Sequence, residues 1–299
     1  MTRERRSELA IDHAALANWT FADVPHRYTK RDTILYALGV GAGTVPHDTD
    51  DLPYVYEEAL SALPTMAVVL GYPGFWIRRP ETGIDWRAVL HVEQKLVVHR
   101  PIRAEGTVVG RTRVVGLYDR GPDRGAVLTT SRDIIDADTG TPIASVTSTE
   151  LCRSDGGWGG PAFPRVEREP MPTEDAHRKI PLRVAPNTAL IYRLSGDDNP
   201  LHVDPAVAAT MGYERPILHG LCSFGMAGHA LVRAIAGNDP GSVREMRVRF
   251  TAPVYPGDDL MLDLWQSQPA AVRFRVRAPL RNAVVIDDGY FRIDAGMGS

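Results

Sequence analysis

The chain has only two cysteines, Cys152 and Cys222, in 299 residues. Two thiols do not make a disulfide framework, and neither stands in a CxxC pair, so a cytosolic (cytoplasmic) redox setting is expected. Neither sign of charge is in excess: the formal net charge is -3. No strong global field draws such a chain to nucleic acid or to an anionic membrane surface. Long apolar runs are missing. The apolar stretch from Leu63 to Ile77 is interrupted by Pro64 and Pro73 and is too short to span a bilayer. Met1 to Ala10 mix acidic and basic side chains and lack the apolar stretch of a signal peptide. The terminal Gly-Met-Gly-Ser is not a peroxisomal tripeptide of the SKL kind. There is no GxGxxG, no GxxxxGK[ST] and no Cys/His metal spacing. Nucleotide hydrolysis, dinucleotide redox and zinc chemistry therefore have no support, and no metal is expected.

What is present is an ordinary globular composition, 43% hydrophobic and 24% charged, with length enough for about two domains. The clearest break runs from Arg153 to Pro181. It holds SDGGWGGP, further prolines and few apolar residues, and reads as a linker. The two flanking halves repeat each other. Tyr36-Ala-Leu-Gly-Val-Gly-Ala42 matches Tyr192-Arg-Leu-Ser-Gly-Asp-Asp198. Pro64-Thr-Met-Ala67 matches Pro216-Ile-Leu-His219, and the segment from Arg100 to Gly106 matches that from Ala252 to Gly257. Each match is weak alone; three in the same order argue for two copies of one domain. The expected division is residues 1–152, a linker at 153–181, and residues 182–299.

Each copy reads as helical elements followed by strands. In the second, Asn187 or Thr188 is placed to cap a short helix, and Asp204-Pro205 to start another. A longer helix is expected from about His219 to Ala236, stopped by Gly237 and roughly 27 Å long at 1.5 Å per residue. It is apolar nearly all round, so it belongs in an interior. Beyond it, Met246, Val248 and Phe250 alternate with arginines, as do Phe274 and Val276, and Leu260, Leu262 and Leu264 also recur at every second position. Such period-two patterns predict an antiparallel sheet with one wet face. The fold class is α+β: a buried helix wrapped by an antiparallel sheet, the hot-dog arrangement, in two copies, a double hot dog.

Two segments carry chemistry. In Ser195-Gly-Asp-Asp-Asn-Pro-Leu-His202, Gly196 ends a helix, and Asp197, Asn199 and His202 follow on a short polar turn. A carboxylate and an imidazole that converge are suited to holding and activating a water. In Arg215-Pro-Ile-Leu-His-Gly-Leu-Cys222, Gly220 opens the buried helix. A glycine there presents a free N–H, with the positive end of the helix dipole behind it and no side chain in the way. That suits a thioester oxygen becoming negative.

GDDNPLHVDP followed by RPILHGLCSFG resembles the signature of the type 2 (R-specific) enoyl-CoA hydratases, the MaoC-like family. YALGVGAG, HVEQKLVVHRP, the DRG turn at Asp119, GGWGG and RFTAPVYPGDDL look like family segments too, so the resemblance covers nearly the whole chain. It implies hydration of a trans-2-enoyl-CoA to a (3R)-3-hydroxyacyl-CoA in fatty-acid or sterol side-chain β-oxidation. It implies Asp197, Asn199 and His202 as catalytic residues and Gly220 as oxyanion donor. It implies no cofactor, CoA being part of the substrate. Substrate contacts are expected from His91, Val92, Arg120, Asp198, Pro200, Leu201 and Phe250, with Val92 standing where the family has glycine and Arg120 where it has lysine. At the matching positions the first copy has Gly41, Pro46 and Val68, so one active site per chain is expected, with the first copy free to hold a bulky acyl group. His47 lies one residue out of register and is read as coincidence.

Taken singly, Asp197 reads as a turn residue, His202 as a structural histidine and Gly220 as a packing glycine; the full segments argue otherwise. His219 is expected to position its loop, Asp204 to cap a helix and Cys222 to fill core. Arg273, Arg275 and Arg277 are expected on the outward side of a strand, with no site implied. The arginines between Arg244 and Arg249 are read as a partly solvated face that also borders the CoA phosphates. Rival functions are a dehydratase on acyl-carrier-protein substrates, a hot-dog thioesterase and a non-catalytic acyl-CoA-binding subunit. Two hot dogs pair within one chain, so a monomer suffices, and a homodimer is left open.

Overall fold

In the computed structural model, which describes residues 11–164 and 167–294, the strands are β1 (Val24–Tyr28), β2 (Val89–Val98), β3 (Gly106–Asp119), β4 (Ala126–Asp136), β5 (Pro142–Cys152), β6 (Arg178–Arg183), β7 (Val243–Phe250), β8 (Asp259–Gln268), β9 (Ala271–Ala278) and β10 (Ala283–Ile293). All ten join one antiparallel sheet in the order β1-β3-β4-β5-β2-β7-β10-β9-β8-β6. Read outward from the β2–β7 seam, both halves have the same order. The repeat seen in the sequence is thus an internal two-fold, closed by pairing Glu93 to Val97 with Arg249 to Glu245. Met1 to Ala10 and the terminal Gly-Met-Gly-Ser lie outside the described residues.

Helices are α1 (His13–Ala17), α2 (Lys30–Gly39), α3 (Leu52–Val55), α4 (Thr188–Tyr192), α5 (Pro205–Thr210) and α6 (Gly220–Ile235). Asp204 caps α5 by accepting from the Ala206 N–H. The long helix, α6, is buried from Cys222 to Val232. Its large apolar side chains each contribute about 1.5–3 kcal/mol by leaving water. They pack into a core shared by both halves, with Leu96, Val146, Met246 and Phe274 among its members. Glycines let the neighbours come close. A Cβ on Gly225 would stand 2.4 Å from Val40, and one on Gly228 2.5 Å from Thr65.

The two halves are not equal copies. Where the second has the sixteen-residue α6, the first has a five-residue 3-10 turn, Pro64–Val68, wholly buried. Gly71 and Gly74, at φ of 57° and 76° with Pro73 between them, end helical geometry there. The expected linker also carries structure. A bridge joins Ala162 to Asp119, and residues from Arg178 onward already pair with β8.

One of the three arginines of β9 differs from expectation. Arg273 is buried, not outward, and pairs with Asp288 at 2.7 Å. Arg275 pairs with Asp287, and Arg277 with the buried Asp263. Arg247 and Arg249 meet Asp288 and Glu93. Arg168, from the linker, bridges Glu93 on β2 and Asp288 on β10. Each of these arginines is thus paired with a carboxylate, and Arg168, Arg247 and Arg249 meet theirs beside the β2–β7 seam.

Candidate active site

Tyr192 and the following 3-10 turn, Arg193–Ser195, end at Gly196, whose φ of 111° reverses the chain. That conformation favours glycine. Asp197 and Asn199 follow at once. Asp197 Oδ1 accepts from the Asn199 N–H at 3.3 Å, and Asn199 Oδ1 accepts from the Leu201 N–H at 3.1 Å. Asn199 thereby caps the 3-10 turn Pro200–His202 and delivers His202 to the interior. The His202 Nδ1–H donates to the Ile217 carbonyl at 2.8 Å, which leaves Nε2 for the site.

His219 stacks on His202 with ring centroids 3.7 Å apart, and its Nε2–H donates to the Asp197 carbonyl at 3.3 Å. It braces the turn, as expected of a positioning residue. One side-chain nitrogen or carboxylate oxygen from each of Asp197, His202 and His219 lies within 4.8 Å of the others. One water hydrogen-bonded to two groups at about 2.8 Å each spans such a gap. The trio does not suit a cation. Stacked, nearly parallel imidazoles cannot both aim an in-plane lone pair at one ion about 2.0–2.1 Å away.

Burial raises the Asp197 carboxyl above its ordinary pKa, while the charge of His202 opposes that shift. Burial likewise lowers His202, opposed by Asp197. His219 is pushed down to about 2 by burial and by its histidine neighbour, so it stays neutral. Burial thus disfavours the charged form of both groups, and their opposite charges link the two titrations.

A cavity of about 330 Å³ opens beside this pair. Asp197, Asn199, Leu201, His202 and Gly220 line one side, with His91, Val92 and Phe250 adjoining. The Gly220 N–H, in the first turn of α6, has no acceptor within the helix. Its Cα faces the Phe250 ring, which would stand 3.5 Å from an added Cβ. The Phe250 ring in turn meets His91 edge-on at 5.1 Å. Val92 sits at a bulge in the β2–β5 ladder.

Asp198, Pro200 and Arg120 do not line the cavity. In the DRG turn it is Asp119 that acts on the backbone, accepting from the N–H groups of Gly121, Gly157 and Gly159. Those hydrogen bonds hold its carboxyl down to about 2. They also explain why DRG and GGWGG occur in one chain: the second segment folds onto the first. His47 is exposed and takes no part. Cys222 is buried, with its thiol on the Gly39 carbonyl.

Sequence reasoning missed Tyr72, Arg132 and Glu150, which line the cavity from the first half. The nearest signal was Thr130-Ser-Arg132 between the apolar ends of a strand, and alternation alone assigns such an arginine to water.

Residues 167–285 match the MaoC like domain, and residues 26–154 match the MFE-2 hydratase 2 N-terminal domain. A 3-hydroxyacyl-thioester dehydratase Y of Mycobacterium tuberculosis is 35% identical over 90% of this chain and 94% of its own length. A probable enoyl-CoA hydratase 2 of Dictyostelium discoideum is 31% identical over 94% of this chain and 96% of its own. The crystal structure of a MaoC-like dehydratase from Phytophthora capsici superposes with a TM-score of 0.83 at 32% identity, covering 95% of this chain and 99% of that one. With both halves matched in order and the polar turn facing the opening of α6, the chain belongs to the MaoC-like, hydratase 2 family of double hot-dog proteins.

Proposed function

We propose that this chain is an enoyl-CoA hydratase 2, adding water to a trans-2-enoyl-CoA to give a (3R)-3-hydroxyacyl-CoA in β-oxidation. The observation that carries the reading is that Asp197 and His202, with side-chain polar atoms within 4.8 Å of each other, line one cavity together with Gly220. Asp197 and His202 hold the water and take a proton from it as its oxygen bonds to Cβ. The C=C electron pair moves toward the thioester, and the Gly220 N–H stabilises the enolate oxygen. The pair returns a proton to Cα on the same face, so one water is consumed and nothing is left over. Asn199 shapes the turn, and its amide remains free toward substrate. No resident cofactor is needed for these steps.

Residues 182–299 form the catalytic half in this reading. Residues 1–152 accommodate the acyl chain, a role supported by Tyr72, Phe75, Trp76 and Ile77, which follow the shortened Pro64–Val68 turn and line the cavity. His91, Val92 and Phe250 hold the thioester arm, while Arg120, Asp198 and Pro200 act outside the cavity. A cytoplasmic setting fits the two buried free thiols. No helix among the described residues is long and apolar enough to cross a membrane. The seam between β2 and β7 supplies within one chain the pairing that a dimer of single hot dogs would need, so activity is assigned to the monomer, and a homodimer is compatible with it.

The relative named as a dehydratase favours a second reading, the same reaction run in reverse on an acyl thioester; competition between CoA and carrier-protein thioesters separates the two. The test of hydration itself follows loss of the enoyl thioester absorbance, with free thiol monitored and product configuration determined. Absorbance loss without thiol release and with (3R) product is expected. Thiol release would instead identify a thioesterase, and an inert chain a binding subunit.

A further inference from the structure

The first half contributes much of the cavity lining, and the part of it built by β3, β4 and β5 is mostly polar. Directly opposed strand residues share a face. Arg132 on β4 stands opposite Thr112 on β3 and Val146 on β5, and Thr130 stands opposite Ser148. All five line the cavity. Arg132 is 7% exposed. One Nη donates to the Val68 carbonyl at 2.5 Å, and the guanidinium lies 5.3 Å from the Tyr72 ring centre. Its Nε and the Thr112 hydroxyl are buried without a hydrogen-bond partner. No carboxylate among the described residues forms an ion pair with it, and burial pulls its guanidinium down to about 10, still a cation at neutral pH. A guanidinium has five N–H donors, and Val68 engages one of its groups.

Its place along the wall follows from register. Glu150 is paired with His91, beside Phe250 and Gly220, at the thioester end. Arg132 is level with Val146, four residues away along β5, a run of about 13 Å at 3.3 Å per residue. Glu150 does not neutralise it, because burial pushes that carboxyl up to about 8 and keeps it protonated at neutral pH.

We propose that this wall is a recognition subsite for an oxygen substituent on the acyl chain, remote from the thioester, with Arg132 as the principal donor and Thr112 and Thr130 beside it. The favoured substrates are acyl thioesters bearing a distal carboxylate or keto oxygen. Unbranched hydrocarbon chains of the same length bind less well, since they leave a buried cation unpaired. The substrate class rests on the hydratase reading only for which end of the ligand is the thioester.

The test is calorimetric titration of the whole chain with saturated acyl-CoAs, which need no turnover. Plain, ω-carboxy and distal-keto chains are compared over a ladder of lengths, with wild type, Arg132→Met and Arg132→Lys. Wild type is expected to bind an oxygen-bearing chain at least about tenfold more tightly than the plain chain of equal length, at one or two adjacent lengths. Arg132→Met should lose that preference and still bind the plain chain; Arg132→Lys should keep part of it for the carboxylate. A carboxylate preference that weakens with salt identifies an anion, and a salt-insensitive keto preference a neutral acceptor; each supports the subsite. Equal or weaker binding of oxygen-bearing chains by wild type at every length overturns it, even where the variants do not fold. Uniform weakening of CoA and all acyl-CoAs by Arg132→Met also overturns it, by assigning the guanidinium to the pantetheine arm. Hydration of plain enoyl-CoA is measured separately, so failure of one reading leaves the other standing.

Discussion

Gly220→Ala separates folding from chemistry at the opening of α6. Its added Cβ meets the Phe250 ring at 3.5 Å, an ordinary contact, so the variant should fold and gain about 0.4–1 kcal/mol through a less flexible unfolded chain. The same methyl narrows the gap through which a thioester reaches the N–H. We expect kcat/KM to fall on the order of 10²-fold with an unchanged or higher melting temperature. Parallel kinetics and thermal unfolding check this, and an unaffected rate would remove Gly220 from the site. Glu150 gives a prediction in pH. Its folded carboxyl is raised to about 8, so between its ordinary value and 8 the native state binds more protons than the unfolded chain. Its contribution to stability is therefore full at low pH and is lost as pH rises through that window. Glu150→Gln does not titrate, so its melting temperature should gain on wild type from pH 5 to pH 9. The sequence made Asp197, Asn199, His202 and Gly220 legible because two short contiguous segments carry them, each with its own turn chemistry. Arg132 and Glu150 were not legible. Period-two alternation assigns strand charges to water, and only closure of the second half over this face puts them in a cavity.

At the scale of elements, α6 begins and ends within a residue of where His219-Gly220 and Gly237 place it, since an apolar helix with a clear start and stop is a local property. Its partner in the first half was not legible as a short turn. Pro64-Thr-Met-Ala67 matches the start of the long helix, while Gly71, Pro73 and Gly74 decide where that start leads. The β-strands followed from alternation, but the fate of their arginines did not. Arg273 looks outward in pattern and is covered by the linker, with Glu169 and Met171 lying against it. The close packing of α6 has its own test. Gly225→Ala and Gly228→Ala place a methyl 2.4 Å from Val40 and 2.5 Å from Thr65, inside contact distance of buried side chains. Each should destabilise the protein by about 1–3 kcal/mol, although alanine is the better helix former. Denaturant unfolding reads this directly, and stabilisation of both variants would show that the core is looser than described.

Over the whole molecule, the repeat was visible in the sequence, but the single continuous sheet was not, because nothing in an isolated strand says which edge it will meet. The β2–β7 seam joins the halves, and Arg168 reinforces it by reaching from the linker to Glu93 and Asp288. Asp288 keeps Arg273 when Arg168 is removed, and the site is partly exposed. Arg168→Ala should therefore lose only about 1 kcal/mol, and less in high salt. This architecture sets Asp197 and His202 from one half on a cavity shared with residues of the other, and the central proposal is that Asp197 and His202 together add the water. The most direct test is the turnover of trans-2-enoyl-CoA, across chain lengths and with the distally oxygenated chains included, by wild type, Asp197→Asn and His202→Ala at matched folding. The account predicts hydration by wild type and a loss of roughly 10²–10⁴-fold in kcat in each variant, with melting temperatures preserved. Hydration that survives in both folded variants would contradict it.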